Sequence, residues 1–302
     1  MRKRGKRQSQ GSPLPKSPIL LDEFPRGTLQ QWRKKHQALH DSQTLLYFDL
    51  EGQRSVQRKN LHEALNQTVI PFSFEVWFRV VNYRYTLHPL SLVGSLINSG
   101  RFNFGEDIDS KTFKPFPALY LANSDETARA EYFQVSKSSS PLKPEDFRLT
   151  NKLSYSVVAL KGNLNRVFDL RKRRNLRPFV ETMKHFTIAE RVQKAERTAG
   201  IKPSKVVKTT AEMYNSLMLP NWRIQPMQYD VASNSQIFGD TVCGAGIQGI
   251  VYGSARSSGA CLAIFPQNLD SNDAYVEIAS RTPDELPITR LDWTTWRELI
   301  EE

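Results

Sequence analysis

The spacing of hydrophobic positions changes near residue 71. Over residues 21–71 apolar side chains recur at helical spacing, beginning with Leu29 and Trp32, and the helical pattern must end before Pro71. Over residues 72–80 the period becomes two, with Phe and Val at alternate positions. The pattern therefore predicts a helical N-terminal appendage followed by a strong β-strand.

The polar face of this predicted strand carries Arg79. Side chains alternate across a strand, so Arg79 points away from the apolar face. Its guanidinium could reach a phosphate of a ligand. It could equally form a cross-strand pair with an acid, and the pattern leaves both interpretations open.

A glycine-bounded turn and a short strand follow. Residues 100–105 read Gly-Arg-Phe-Asn-Phe-Gly, so Arg101 and Asn103 lie where glycines would let a ligand approach the backbone closely. Residues 115–122 predict a strand bounded by proline. On it Tyr120 faces the same side as its alanine neighbours and opposite its leucine neighbours.

A helix is predicted after this strand, because Asn123 and Glu126 have the spacing of a capping box. Ala128, Glu131 and Tyr132 fall on one stripe of that helix, and the stripe faces inward. A carboxylate on an apolar face is costly to bury without a partner or a task. Glu131 can also lie at the margin of the stripe with its carboxylate in water, and the stripe alone favours this second interpretation.

The remaining pattern mixes strands and helices. Strands are predicted at residues 155–160, 166–170, 261–265 and 274–279. We expect a turn at residues 162–163, a basic helical insertion over residues 171–215, and a C-terminal helix over residues 281–302 that Asp292 would cap.

Two blocks of basic residues account for the net charge of +11. Residues 1–18 hold six basic residues and no acid, and residues 1–20 are expected to form a disordered tail. Residues 161–208 hold fourteen basic residues against four acids. Such blocks could contact nucleic acid or an acidic protein. No recognised nucleic-acid motif accompanies them, so we interpret them as solvated surfaces.

Several classes of protein lack support in the sequence. No apolar run reaches membrane-spanning length, and no export signal is evident, so we expect a cytoplasmic protein. Cys243 and Cys261 are expected to be free thiols. We predict no metal site, because the residues between His36 and His40 lack the Glu of a metalloprotease helix. No phosphate-binding glycine loop precedes a helix, which leaves kinase and Rossmann chemistry without support.

Three motifs in order resemble the RES domain family, which is named for an arginine, a glutamate and a serine. They are Gly-Arg-Phe-Asn-x-Gly with Leu-Tyr-Leu-Ala, then Glu-Thr-Ala-x-x-Glu, and finally Tyr-Gly-Ser-Ala-Arg followed by a strand. The resemblance implies a RES domain over residues 72–280. It aligns the three residues of the family name with Arg101, Glu131 and Ser254.

This resemblance implies an α+β fold with an ADP-ribosyltransferase-like split β-sheet core and flanking helices. Members of the family are toxins that cleave the nicotinamide–ribose bond of NAD+ by phosphorolysis or hydrolysis, or that transfer ADP-ribose to a protein. NAD+ is then a substrate and no cofactor is expected. The expected partners are inorganic phosphate and a cognate antitoxin, whereas direct nucleic-acid binding and membrane binding are not expected.

The resemblance also implies catalytic roles. A carboxylate at Glu131 would stabilise the oxocarbenium-like cation that forms when neutral nicotinamide departs. Arg101 would bind the diphosphate through its planar fork. Ser254 would orient Glu131 or bind the ligand, and its surroundings lack the Gly-x-Ser-x-Gly of a hydrolase nucleophile.

Three further residues are expected to bind substrate: Tyr120, by stacking on the nicotinamide ring, together with Arg79 and Asn103. Two other functions stay open at this point. One is mono-ADP-ribosylation of a protein, and the other is a non-catalytic nucleic-acid-binding protein that uses the basic blocks. Released nicotinamide would favour an enzyme, and steeply salt-dependent nucleic-acid affinity would favour the binding protein.

Overall fold

The computed structural model describes residues 26–134, 154–280 and 284–301, so the predicted basic tail over residues 1–20 lies outside the described residues. The helices are α1 (Arg26–Val56), α2 (Arg58–Asn66), α3 (Val93–Ile97), α4 (Asp125–Tyr132), α5 (Arg177–Met183), α6 (Glu190–Ala199), α7 (Thr210–Leu217), α8 (Ile224–Tyr229) and α9 (Asn234–Gly244). The strands are β1 (Val69–Asn82), β2 (Leu119–Ala122), β3 (Tyr155–Asp169), β4 (Gly249–Gly253), β5 (Ala260–Ile264), β6 (Tyr275–Ile278) and β7 (Arg290–Leu291). This mixture confirms the expected α+β class.

The strands form one sheet in the order β1-β2-β5-β4-β3-β6-β7, and β1 also pairs with β3. The pairings of β1, β2, β5, β4 and β3 therefore close a circuit, which β6 and β7 extend from the edge of β3. A single residue pair, Phe78 with Ala122, joins β1 to β2. The ring of strand pairings is thus complete, but its junction between β1 and β2, beside α4, is weak.

A bulge in β1 interrupts the predicted alternation. The register against β3 shifts between Phe74 and Trp77. Phe72, Phe74 and Trp77 consequently pack in one hydrophobic core. Beyond the bulge, Phe78 and Val80 pack against the other core. One uninterrupted apolar face from residue 72 to residue 80 was therefore the wrong prediction, because the extra residue turns the strand over.

Strand β2 separates these two cores as predicted. Leu119 and Leu121 pack on one side of the sheet. Ala118, Tyr120 and Ala122 pack on the other. This alternation brings the ring of Tyr120 to the side of the sheet where α4 lies.

The turn predicted at residues 162–163 is wrong, because β3 runs without interruption from Tyr155 to Asp169. Gly162 serves close packing instead: a Cβ added there would lie 2.4 Å from the carbonyl oxygen of Tyr275 and 2.8 Å from the ring of Phe74. Asn163 accepts a hydrogen bond from Ser73 and donates one to the carbonyl of Asp273. Both residues thus favour close contacts between neighbouring strands.

The helical appendage packs into the core of the domain. Helix α1 has 31 residues and packs along α6, and α2 packs against α5 and α9. Leu61 and Leu65 of α2 are fully buried in the same core as Phe168 of β3. Residues 171–215 contain α5, α6 and most of α7, with non-helical segments at residues 184–189 and 200–209. None of the helices within the described ranges is long and apolar enough to cross a membrane.

The predicted C-terminal helix over residues 281–302 is wrong for the described residues. Arg290–Leu291 forms β7, and only Glu298–Ile300 winds into a short 3₁₀ helix. Asp292 caps a turn, with its carboxylate accepting hydrogen bonds from the backbone of Thr294 and Thr295. Trp293 and Trp296 lie in turns, and only Leu299 belongs to the 3₁₀ helix.

Candidate active site

A cavity of about 180 Å³ opens beside the weak junction between β1 and β2. Its walls come from both strands, from α4, from the segment that contains Gly100, and from residues 222–223. Four predicted site residues line it: Arg79, Arg101, Tyr120 and Glu131. The structure therefore brings together residues that are as much as 52 positions apart in the sequence (131 − 79).

The carboxylate of Glu131 is fixed by one of its two oxygens. Oε1 accepts a hydrogen bond of 2.5 Å from the hydroxyl of Ser254 and one of 3.0 Å from the backbone N–H of Ala255. Among the described residues, none donates a hydrogen bond to Oε2. Glu131 is half-buried, so this arrangement holds the carboxylate rigidly and leaves one oxygen for a ligand in the cavity.

Ser254 is fully engaged. Its hydroxyl donates to Glu131 and accepts hydrogen bonds of 3.0 Å from the backbone N–H groups of Arg256 and Ser257. The two N–H groups fix the hydroxyl so that its proton points to the carboxylate. In this geometry the Ser254 hydroxyl uses its proton on Glu131 and accepts two backbone hydrogen bonds with its oxygen.

Helix α4 is docked on the loop between β4 and β5. Its N-cap is Ser124, whose hydroxyl accepts from the backbone N–H of Thr127, so the predicted capping role of Asn123 is wrong. Asn123 instead accepts a hydrogen bond from the backbone N–H of Ala260. The hydroxyl of Thr127 lies 2.9 Å from that of Ser257. Contacts at the first turn of α4 thus reinforce the contact that Glu131 makes near its end.

Tyr120 is held by Asn103. The hydroxyl of Tyr120 donates to Oδ1 of Asn103 at 2.8 Å and accepts from the backbone N–H of Phe102 at 3.0 Å. Burial raises the pKa of Tyr120 well above its usual value, so the phenol stays protonated. Asn103 also accepts from the backbone N–H of Gly100 and is itself fully buried. Asn103 therefore lies beneath the cavity, where it supports the tyrosine and the turn.

Gly100 is required by this packing. A Cβ at that position would lie 2.3 Å from the hydroxyl oxygen of Tyr120 and 2.5 Å from Oδ1 of Asn103. Only a residue without a side chain fits there.

Arg101 is buried in the cavity wall, with 7% of its surface exposed. Its Nη1 donates to the carbonyl oxygens of Leu217 at 3.2 Å and Leu219 at 3.0 Å, at the C-terminal end of α7. Its guanidinium lies 5.9 Å from the ring centroid of Trp222. A cation is favourable at that end of a helix. Arg101 therefore anchors the loop over residues 218–223, which we call the α7–α8 loop.

Arg79 has no acidic partner among the described residues. Its two terminal nitrogens donate to the backbone carbonyls of Pro89 and Ser91, at 2.8 and 2.7 Å. Burial lowers the pKa of Arg79 to about 10. The side chain lines the cavity and remains positively charged at neutral pH.

The hydrophobic pattern and motifs of the sequence did not predict several residues that line the cavity. Trp222 and Arg223 lie in a loop, where no periodic signal marks them. Tyr252 belongs to the Tyr-Gly-Ser-Ala-Arg motif, which could have identified it. Cys261 faces the same cavity, and burial, reinforced by the charge of Glu131, raises the pKa of its thiol to about 12. That thiol is therefore protonated and unreactive at neutral pH.

The cavity is electropositive. Of the described residues that line it, Glu131 is the only one with a carboxylate. Within the described ranges no carboxylate oxygen comes within 4.0 Å of the guanidinium nitrogens of Arg79, Arg101 or Arg223. An electropositive cleft of this kind favours an anionic ligand.

The model of the RES domain matches residues 76–293, which contain Arg101, Glu131 and Ser254. The chain belongs to the RES domain family. No curated protein matches the chain significantly. Among solved structures, the crystal structure of the M. tuberculosis MbcT–MbcA toxin–antitoxin complex is similar, with 16% sequence identity, 80% of this chain and 98% of that chain covered, and a TM-score of 0.40. In this RES domain, Glu131 and Ser254 are in direct contact, whereas Arg101 contacts the end of α7 and the α7–α8 loop.

Proposed function

We propose that this RES domain protein cleaves the bond between nicotinamide and ribose in NAD+. The observation that carries the proposal is the Glu131 carboxylate, which Ser254 and Ala255 hold by one oxygen while the other is left for the cavity. As the C–N bond breaks, its electron pair leaves with neutral nicotinamide and positive charge develops on the ribose. A fixed carboxylate beside that carbon stabilises the charge without having to reorganise.

The other walls of the cavity suit the same substrate. The ring of Tyr120 offers a flat face for nicotinamide, and its hydroxyl is held by Asn103. Arg79, Arg101 and Arg223 make the cavity positive, which favours the diphosphate of the dinucleotide. NAD+ is therefore the substrate in this proposal, and the reaction needs no further cofactor.

We propose inorganic phosphate as the acceptor, with ADP-ribose phosphate as the product. Water would need a general base, and no histidine is among the described residues that line the cavity. A phosphate anion is itself nucleophilic, and the arginines would concentrate it. Its oxygen would bond to the ribose carbon that nicotinamide leaves.

The cellular role that follows is that of a toxin in a toxin–antitoxin system. Uncontrolled loss of NAD+ would kill the cell that makes the protein, so a cognate antitoxin that covers the cavity is the expected partner. The proposed site of action is the cytoplasm, where NAD+ is abundant.

Incubation of the purified protein with NAD+ tests this proposal. We expect nicotinamide release that depends on phosphate at constant ionic strength, and loss of that release in Glu131→Gln. A rate indifferent to phosphate, with free ADP-ribose as the product, would indicate hydrolysis. Transfer of labelled ADP-ribose to protein would indicate a transferase. No release of nicotinamide under any of these conditions would refute NAD+ cleavage.

A further inference from the structure

Two arginines from separate loops converge on one amide oxygen. Oε1 of Gln134 lies 3.4 Å from Nη1 of Arg223 and 3.0 Å from Nη2 of Arg256. Arg223 ends the α7–α8 loop, Arg256 belongs to the loop between β4 and β5, and Gln134 follows α4. Gln134 and Arg223 line the cavity, and Arg256 contacts Gln134 from the loop between β4 and β5.

The backbone holds Gln134 in an unusual conformation. Its φ of 58° lies in the left-handed region, which is unfavourable for a residue other than glycine. Its Nε2 donates to the backbone carbonyl of Glu131 at 2.5 Å, which fixes the amide with its oxygen toward the arginines. Gln134 therefore links the end of α4 to both guanidinium groups.

The positive charge around Arg223 favours an anionic ligand. Burial lowers the pKa of Arg223, and the charges of Arg101 and Arg256 lower it further, against the opposing effects of Tyr120 and Asp107. The guanidinium of Arg223 also lies 4.4 Å from the ring centroid of the neighbouring tryptophan.

A phosphate oxygen would bind these guanidiniums better than Gln134 does. Within the described part of the chain no carboxylate comes within 4.0 Å of the Arg223 nitrogens, and an amide oxygen carries only a partial charge. A phosphate oxygen accepts shorter and stronger hydrogen bonds from guanidinium.

We propose that Arg223 and Arg256 form a phosphate-binding subsite, in which a phosphate oxygen of the ligand replaces Oε1 of Gln134. Arg101 is then a positioning residue: it holds the carbonyls of Leu217 and Leu219, and through the α7–α8 loop it places Arg223. This assignment rests on the proposed function for the identity of the phosphate, which belongs either to the diphosphate of NAD+ or to the acceptor.

The first test removes one guanidinium. Arg223→Gln is compared with Arg197→Gln, a matched control because Arg197 is an exposed arginine of α6 that does not line the cavity. Calorimetry measures the affinity for ADP-ribose and for inorganic phosphate, and kinetics measure KM for NAD+ and for phosphate. We expect Arg223→Gln to weaken one of these ligands roughly 10-fold to 100-fold, the effect of losing a charged hydrogen bond, and Arg197→Gln to leave both unchanged.

The two sources of phosphate give different results. Weaker ADP-ribose binding with an unchanged KM for phosphate assigns the subsite to the diphosphate. An increased KM for phosphate with unchanged ADP-ribose affinity assigns it to the acceptor. Unchanged affinity for both ligands in Arg223→Gln overturns the subsite. If the wild-type protein binds ADP-ribose or phosphate through Arg223 but releases no nicotinamide, the proposed function fails and the subsite stands.

A second test uses Gln134. Gln134→Glu places a carboxylate between the same two guanidiniums, so an internal ion pair would compete with the ligand. We expect affinity for the same ligand to fall by about 10-fold, whereas Gln134→Ala removes the competing oxygen and should give an affinity equal to or above that of the wild type. Equal affinity in Gln134→Glu and the wild type would contradict displacement of the amide oxygen.

A third test separates positioning from direct contact for Arg101. Arg101→Lys keeps the charge but replaces the longer guanidinium, whose Nη1 donates to the carbonyls of both Leu217 and Leu219, with a shorter ammonium. We expect a lower melting temperature together with weaker binding of the subsite ligand. In a double-mutant cycle with Arg223→Gln, the two losses of affinity should not add, because both act through Arg223. Additive losses with an unchanged melting temperature would show that Arg101 binds the ligand by itself.

Discussion

Replacing Glu131 with glutamine isolates the charge of the carboxylate from its shape. The carbonyl oxygen of the new side chain can take the place of Oε1 and accept the same two hydrogen bonds, from Ser254 at 2.5 Å and from Ala255 at 3.0 Å. Its amide group then occupies the position of Oε2, which faces the cavity. The variant should therefore fold normally while it presents a neutral, partly positive group to the ribose.

The expected loss in kcat is about 100-fold to 1,000-fold, which corresponds to about 2.7–4 kcal/mol of lost transition-state stabilisation from one fixed electrostatic contact. KM for NAD+ should change little, because the proposed binding contacts are the ring of Tyr120 and the arginines, which the substitution leaves in place. A loss confined to kcat identifies an interaction made chiefly in the transition state.

The assay follows nicotinamide release at saturating phosphate, and the melting temperature confirms that the variant is folded. Glu126→Gln is the matched control, because Glu126 is an exposed carboxylate in the first turn of the same helix. We expect Glu126→Gln to keep nearly full activity. A folded Glu131→Gln variant with near-normal kcat would refute the catalytic assignment of Glu131.

Three further outcomes follow from other contacts. Ser254→Ala removes one of two donors to the Glu131 carboxylate and should lower kcat roughly 10-fold in the nicotinamide assay without abolishing it; unchanged kcat would contradict the proposed orienting role of Ser254. Gly100→Ala should destabilise the fold by about 1–3 kcal/mol in denaturant and raise KM, because the new Cβ would lie 2.3 Å from the hydroxyl oxygen of Tyr120. Burial alone would raise the pKa of Asp169, but the hydrogen bond and charge of Arg171 more than offset it, so the folded pKa is lowered from 3.8. Asp169 therefore stabilises the fold at pH values above its ordinary pKa, and this stabilisation is lost as the pH falls through the pKa of the folded state. Arg171→Gln should make the free energy of unfolding depend less steeply on pH in the acidic range. An unchanged dependence on pH would contradict the pairing of Asp169 with Arg171.

Local signals in the sequence predicted the parts of the fold that local forces determine. The alternation over residues 115–122 placed Tyr120 on the correct face, because period two is a property of any strand. The same rule failed in β1, where the bulge before Trp77 turns the strand over, and a bulge leaves no mark on the hydrophobic pattern. Gly162 suggested a turn, but its neighbours across the sheet require a small residue there.

The residues of the candidate site also fall into two groups, those that the sequence motifs predicted and those that tertiary packing brings in. The contact between Glu131 and Ser254 agrees with the motifs, because the resemblance to the RES family carries both residues. Trp222 and Arg223 lie in the α7–α8 loop, and their place in the cavity depends on tertiary packing around Arg101. Similarly, Asn123 had the spacing of a helix cap, but the sheet uses its side chain and Ser124 caps the helix.

The order in which the strand pairings of the closed sheet can form has a consequence for the nascent chain. Strand β2 pairs with β5 along its whole length but meets β1 at one residue pair, and β5 lies almost 140 residues downstream of β2 (260 − 122 = 138). A chain still emerging from the ribosome therefore lacks the pairing of β2 with β5 that positions α4, and it also lacks Ser254. The proposed activity must begin only when residues 249–264 have left the exit tunnel. Prematurely terminated fragments should then be harmless to the cell that makes them.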